Sequence, residues 1–433
     1  MGVMPNSTAT RAATPTRSLP TGTVATRREA ADLLLGPDAG DLLAAAVGTT
    51  GAALTSWELH AVHARPGAET SVGYTVHVAA AGAAEPAEGY LVATTADLPA
   101  TPGVVRLAPA GACADGALHV WRHPGDPMLP GLADACTPEL LTARLRAAGD
   151  DVEVLDVEVL AYRPMRRAVV RAHTSGGDRF VKVLRPTGAR ALVRRLGALA
   201  VTGLAPATTA VDLDAGIVVL ARASGLPLTQ HLVGGGSADP AQVLALLDGL
   251  PAGVTALERR AAWADRVETY AASLTERFPD TLAAATEVVD AVRYVRATTD
   301  PGPVVPTHGD LHPANLWWAG DAPSALIDVD TLGPGHRVDD LACLVAHLSV
   351  LPTLDARYTT VPACLEELLA AFDAVVDPAG LRARAAAVVL SLAASQPDED
   401  LARRWLARAT TFVPRSPAGE TLPHRGTAQR RAS

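Results

Sequence analysis

Asp310 and Asn315 stand five residues apart in a loop dense in hydrogen-bond acceptors, and Asp328 follows thirteen residues after Asn315, where an apolar run ends. The stretch 308–330 reads HGDLHPANLWWAGDAPSALIDVD. A carboxylate, an amide and a second carboxylate at this spacing suit phosphoryl transfer, which asks little covalent chemistry of a protein. It needs a carboxylate to orient and deprotonate the attacking hydroxyl, oxygen ligands for Mg²⁺, and a cation for the phosphates. Asp310 fits the first task. Asn315 and Asp328 fit the second, with Asp330 either joining a second ion or capping the turn that follows. An isolated Asp-x-x-x-x-Asn in a turn would only hydrogen-bond its own backbone. Here His308 precedes the Asp, and Ala325, Leu326 and Ile327 feed Asp328.

The cation is singled out by composition. The chain has 37 basic residues, and Lys182 is the one lysine among them, inside the strand-like run Arg-Phe-Val-Lys-Val-Leu at 179–184. Arginine's planar fork suits surfaces and bidentate pairing, whereas lysine is a compact charge on a thin stem that reaches phosphate from within a strand. The alternation of Phe180, Lys182 and Leu184 against Val181 and Val183 leaves its face of the strand open.

These residues carry a resemblance. His308-Gly309-Asp310, then Asn315, then Ile327-Asp328 resembles the motif of the aminoglycoside phosphotransferase and choline kinase superfamily, which shares the bilobal protein-kinase-like fold. The resemblance covers about residues 150–412. It implies an ATP-dependent phosphotransferase acting on a hydroxyl of a small molecule. Asp310 would be the catalytic base, Asn315 and Asp328 metal ligands, and Asp340 a structural acid bracing the loop. The place where that family's lobes join corresponds to the run 217–223, so main-chain groups of Ala221 and Ala223 would receive adenine, with the nucleotide between this run and Asp328. The turn 163–167 stands where protein kinases carry a glycine-rich loop; lacking glycine, it would offer Arg166 and Arg167 to phosphate. The helix after Lys182 holds no acid, so the glutamate that usually orients this lysine has no counterpart there.

At 433 residues the chain exceeds what one core fills, so two or three domains are expected. The formal charge of −9 and the lack of a long basic cluster argue against nucleic acid and anionic membrane as partners. No apolar run has membrane-span length, and the start lacks the apolar centre of a signal peptide, so a cytoplasmic protein with a small-molecule substrate is expected. Cys113, Cys136, Cys343 and Cys364 are scattered without ligand spacing and read as free buried thiols. His119, His123 and Asp126 match no standard metal pattern.

The elements that must position these groups follow from periodicity. The fold class is α+β: a small antiparallel β lobe and a large helical lobe, preceded by an α+β cap. Residues 1–26 read as a disordered leader. Residues 27–123, a helix broken near Gly36-Pro37 followed by four or five strands, form the cap, and a Pro/Gly-rich connector occupies 124–150 with a helix over 137–148. The small lobe spans 151–223 and the helical lobe 224–413, with helices at 240–250, 254–278, 279–298, 362–376, 378–394 and 397–412; 414–433 is a basic disordered tail. The cap and connector also resemble, more weakly, those of bacterial maltokinases and glucosamine kinases. Acids outnumber bases over 355–400, eight against three, while bases prevail over 151–235. A cationic acceptor is therefore expected, an amino sugar or aminoglycoside-like molecule. A neutral sugar such as maltose is the alternative, and a catalytically inactive nucleotide-binding module is a second.

Overall fold

The computed structural model describes residues 11–12, 27–64, 69–80, 82–83, 85–107 and 117–413. The tail, Cys113 and all of the leader except residues 11 and 12 lie outside them. The chain forms two compact units. One runs to Ala200 and takes in Pro206–Ala223; the other comprises Val201–Ala205 and the chain from Ser224 onward.

The first unit opens with β1 (Arg11–Ala12), a strand inside the expected leader, then α1 (Arg27–Leu35), α2 (Ala39–Gly48), β2 (Ala53–Ala64), β3 (Thr70–Ala79), β4 (Ala87–Thr94), β5 (Val104–Leu107) and β6 (Leu118–Arg122). The strands pair antiparallel in the order β1-β2-β3-β4-β6-β5. Alternation along them sends Val72, Tyr74, Val76, Leu91, Ala93, Leu118 and Val120 into one core with Leu34, Leu42 and Leu43 of the helices. Tyr74 buries its ring there and donates its hydroxyl to the Leu34 carbonyl at 2.6 Å. Val92 and Trp121, one residue out of step, point to the opposite face and pack with Met165.

The same unit continues through α3 (Leu132–Ala135), α4 (Pro138–Ala147), β7 (Val154–Arg163), β8 (Arg167–Thr174), β9 (Arg179–Leu184), α5 (Pro186–Ala200), β10 (Thr208–Asp212) and β11 (Ile217–Ala221). The sheet order is β10-β11-β9-β8-β7. Pro138 at the start of α4 costs nothing, since its missing N–H would have no helical partner. Leu132, Leu141 and Leu145 of α3 and α4 cover one face of this sheet, over Val170, Val181, Val183, Ile217 and Val219. Because Val181 and Val183 fill that core, Lys182 lies on the other face, between Val169 of β8 and Val218 of β11.

The second unit is mainly helical. It contains β12 (Leu226–Pro227), α6 (Leu228–Val233), α7 (Pro240–Asp248), α8 (Val267–Arg277), α9 (Leu282–Thr298), β13 (Val304–Thr307), β14 (Leu316–Ala319), β15 (Ala322–Leu326), β16 (Gly333–His336), α10 (Arg337–Leu354), α11 (Val361–Phe372), α12 (Pro378–Ser395) and α13 (Glu399–Phe412). At its centre α12 buries Ala383, Ala385, Ala386, Ala387, Val389, Leu390 and Ala393 completely, small side chains that admit neighbouring helices from several sides. Asp377 starts this helix by accepting the Gly380 N–H, and Asp398 starts α13 by accepting that of Leu401.

One expected element is corrected. The single helix expected over 254–278 is broken into short 3₁₀ turns, Ala252–Ala256 and Trp263–Arg266, before α8 begins. The segment is drawn out against β16: a Cβ added to Gly333 would meet the Glu258 carbonyl at 3.0 Å, and the Ala262 N–H turns to the Asp265 carboxylate at 2.8 Å. Among the described residues no helix is long and apolar enough to cross a membrane.

Candidate active site

The loop carrying Asp310 is assembled by strand pairing within the second unit. Thr307 at the end of β13 pairs with Gly333 at the start of β16, so the loop leaving β13 meets the turn entering β16. The β14–β15 hairpin pairs Leu316 with Leu326 and brings Asn315 beside Ile327, whose N–H donates to the Asn315 carbonyl at 2.9 Å. Sequence neighbours of Asp310 and Asp328 are thereby tied together.

His308 is the fastener. Its Nε2–H donates to the Ile327 carbonyl at 3.0 Å, and its Nδ1 accepts the Asp310 N–H at 3.3 Å, a tautomer set by these partners. Burial holds this ring's pKa below the usual histidine range, so it serves as a neutral connector. Thr331 donates its hydroxyl to the His308 carbonyl at 2.9 Å. Gly309 follows at φ 79°, and a Cβ there would lie 2.8 Å from the Thr331 carbonyl; both backbone and space demand glycine.

Beneath the loop, Asp340 in the first turn of α10 accepts the N–H groups of His308 and Gly309, one on each carboxylate oxygen and each at 2.8 Å. Asp340 is almost wholly buried, and burial pushes its carboxyl up to about 7 against those two donors. Its next neighbour Asp339 pairs with buried Arg384 of α12 at 3.0 Å. The loop thus stands on α10, and α10 is pinned to α12.

Asp310 is half-buried, with the Cys343 thiol of α10 at 3.9 Å from its Oδ1. Burial and then Asp310 push that thiol's pKa well up, so Cys343 stays protonated beside the carboxylate. Asn315, buried, donates its amide N–H to the Asp310 carbonyl at 3.0 Å. The amide's orientation leaves its oxygen as the atom that would meet a cation. Asp328 closes the group from the left-handed backbone region, φ 55° and ψ 49°, a conformation costing a side-chain-bearing residue about 1–2 kcal/mol and held where its surroundings over-determine it. Asp330 lies two residues on, in the 3₁₀ turn Val329–Thr331.

Magnesium fits this donor set. No group of three or more His, Cys, Asp or Glu side chains among the described residues forms a ready-made metal cage. None is required: Mg²⁺ is commonly held by one or two carboxylates together with substrate phosphates and water, and Asn315, Asp328 and Asp330 supply hard oxygens of that kind.

Further side chains gather round Asp310 from segments the motif does not include. The ring of His312 stacks on His347 of α10, centroids 4.8 Å apart, and burial drives His347 down to about 3. Tyr270 of α8 lies within electrostatic reach of Asp310, its phenol pushed up first by burial. The Arg266 guanidinium stands 5.2 Å from the Trp263 ring and 5.5 Å from that of Tyr270. The one sequence signal for this group was the scarcity of aromatics, 4% of the chain, with two of them seven residues apart.

The other expected residues belong to the first unit. Lys182 is partly exposed on β9. Ala221 ends β11 with its N–H already donated to the Ala207 carbonyl at 2.8 Å, and Ala223 follows two residues later. Arg166, in the β7–β8 turn, is paired with Glu69, the residue before β3, at 2.8 Å. Five of the eight acids of 355–400 are engaged locally, in ion pairs or helix caps. Asp355 pairs with Arg357, Asp373 with Arg382 and Glu399 with Arg403, while Asp377 and Asp398 cap helices.

No curated protein matches the sequence. Among solved structures the chain is similar to a choline kinase from Streptococcus pneumoniae, 17% identical over 63% of this chain and 97% of that one, with a TM-score of 0.43. It is also similar to a macrolide 2′-phosphotransferase from Brachybacterium faecium, 18% identical over 66% and 99%, TM-score 0.41. An aminoglycoside phosphotransferase from Streptomyces rimosus is 19% identical over 58% and 97%, TM-score 0.40. Residues 144–386, more than half of the chain and inclusive of the whole assembly around Asp310, match the phosphotransferase enzyme family, and the chain belongs to it.

Proposed function

We propose that this enzyme moves the γ-phosphate of ATP to a hydroxyl of a small molecule, with Asp310 as the base that orients and deprotonates that hydroxyl. The observation that carries the reading is the fastening of the Asp310 loop: backbone bonds to Asp340, the His308 link to Ile327, and the Asn315 amide on the Asp310 carbonyl. A loop backbone held so firmly presents its carboxylate to the hydroxyl with little reorganisation. Asn315 and Asp328, with Asp330, would hold Mg²⁺, which when bound neutralises charge on the phosphates. Lys182 would add a positive charge to them, and Ala221 and Ala223 would offer main-chain groups to the base. The turn 163–167, with Arg166, would lie against the phosphates.

For the acceptor we propose an amino sugar or aminoglycoside-like cation, on the acidic excess of residues 355–400. Glu366, Glu367 and Asp400 are the acids of that stretch outside the caps and local pairs just described. The second reading is a neutral sugar of the maltose kind. It is favoured by that same engagement of five of the eight acids, and by the ring of Tyr270 near Asp310 with that of Trp263 beside it, since flat aromatic faces suit a sugar's C–H surface. The test is ADP release with a panel of amino sugars, aminoglycosides and neutral sugars, with Mg²⁺ and with a chelator. Preference for aminated acceptors, lost on their N-acetylation, is the expected result; preference for neutral ones transfers the assignment to the second reading. ATP turnover unaffected by chelation would remove the metal role of Asn315, Asp328 and Asp330, and no turnover with any acceptor would leave a nucleotide-binding module.

A further inference from the structure

The tip of the β7–β8 turn is a strained residue gripped from outside its own hairpin. Met165 sits at φ 62°, a backbone region that favours glycine, in a three-residue loop between Arg163 and Arg167. A strained residue persists only where its surroundings over-determine it, and Met165 is fixed at every group it has. Its N–H donates to the Asp126 carboxylate at 2.7 Å, its carbonyl accepts from Arg185 Nε at 2.6 Å, and its side chain is buried against Val92 and Trp121 of the cap. The next residue, Arg166, is held by Glu69.

Asp126 is the centre of this grip. It is 5% exposed, and its Oδ2 accepts from both Met165 and the Tyr162 hydroxyl, each at 2.7 Å, while Oδ1 accepts the Met128 N–H at 2.8 Å. Tyr162 in turn accepts from the Trp121 indole at 3.2 Å. Burial and the neighbouring Asp126 push the Tyr162 phenol's pKa up, so it remains a donor. Segments distant in sequence, the cap around Glu69 and Trp121 and the connector at Asp126, thus converge on Tyr162, Met165 and Arg166 at one hairpin end.

We propose that Glu69 and Asp126 are positioning residues for the phosphate end of the nucleotide: from the cap and the connector they set the β7–β8 turn in its binding shape, so the cap is part of the ATP site. This rests on the assignment of the turn to the phosphates. A glycine-rich loop gains its shape only on meeting its ligand and loses conformational freedom then. This turn has lost that freedom beforehand, and preorganisation of that kind appears as affinity.

The test compares the unaltered protein with Glu69→Gln and Asp126→Asn, titrating β,γ-imido-ATP and AMP by calorimetry and following hydrogen exchange of residues 163–167. Glu69 is partly exposed, so Glu69→Gln reports even if Asp126→Asn folds poorly. Expected are faster exchange in the turn and about five- to tenfold weaker binding of the triphosphate analogue, with AMP affinity unchanged because AMP lacks the β and γ groups. Equal loss for both ligands, or loss for neither, overturns the proposal. Tighter triphosphate binding in Glu69→Gln also overturns it, since the cap would then be withholding Arg166. If the unaltered protein binds neither nucleotide, the nucleotide reading itself falls and takes this one with it; binding that is intact and insensitive to both changes removes only the grip.

Discussion

Asp310 is the residue on which turnover depends in this account, and its surroundings separate that role from folding. Its backbone is held by His308 and Asn315, while its carboxylate touches only a thiol among the bonds described above. Asp310→Ala should therefore leave unfolding temperature and nucleotide affinity near those of the unaltered protein and lower turnover by about 10²- to 10⁴-fold. Single-turnover kinetics beside calorimetry checks both halves, and turnover within a few-fold of the original would transfer the base role elsewhere. Asp310, Asn315 and Asp328 were legible because their spacing lies within one short stretch. Cys343, Tyr270 and His347 were not, because strand and helix packing brings them in from other segments. Nor was the job of Asp126: beside His119 and His123 it offered a metal pattern to be weighed and rejected, and its three hydrogen-bond donors come from Met128, Tyr162 and Met165.

At the scale of elements, strands and helices could be read from alternation and from apolar spacing near 3.6, as at β3, α7 and α12. The segment 254–262 could not, since its apolar spacing is helical and the force that draws it out is contact with β16. The junction of α10 with α12 was equally hidden, because Asp339 and Arg384 are 45 residues apart. Arg384→Met should leave Asp339, itself mostly buried, without its cation. Stripping one partner from a buried pair costs about 3–5 kcal/mol, and the residual exposure of Asp339 puts this case at the lower end. Urea unfolding measures it. Adding Asp339→Leu should recover much of the loss, and a double variant no better than the single would show that the pair is not the source.

Across the whole molecule, the succession of helix-led meander, strands and then helices could be read in order from the sequence. We propose that residues 27–123 are a domain in their own right: their core around Tyr74 and Leu43 is separate from the one beneath α4, and the two meet through the smaller cluster of Val92, Trp121 and Met165. Produced alone, this segment should unfold cooperatively by near-ultraviolet circular dichroism, and a featureless melt would count against it. The solitary lysine has its own consequence for the laboratory. Side-chain amine chemistry has a single address in 433 residues, part-exposed on β9, so an acylating or pyridoxal reagent that labels a side-chain amine reports on that strand. Peptide mapping after such treatment should find the tag on Lys182, and ATP should shield it; modification that proceeds equally fast with nucleotide present would remove Lys182 from the phosphates. By the same token, acetylation or ubiquitin attachment within the helical lobe has no side-chain amine to use, which narrows how a cell could mark this enzyme there.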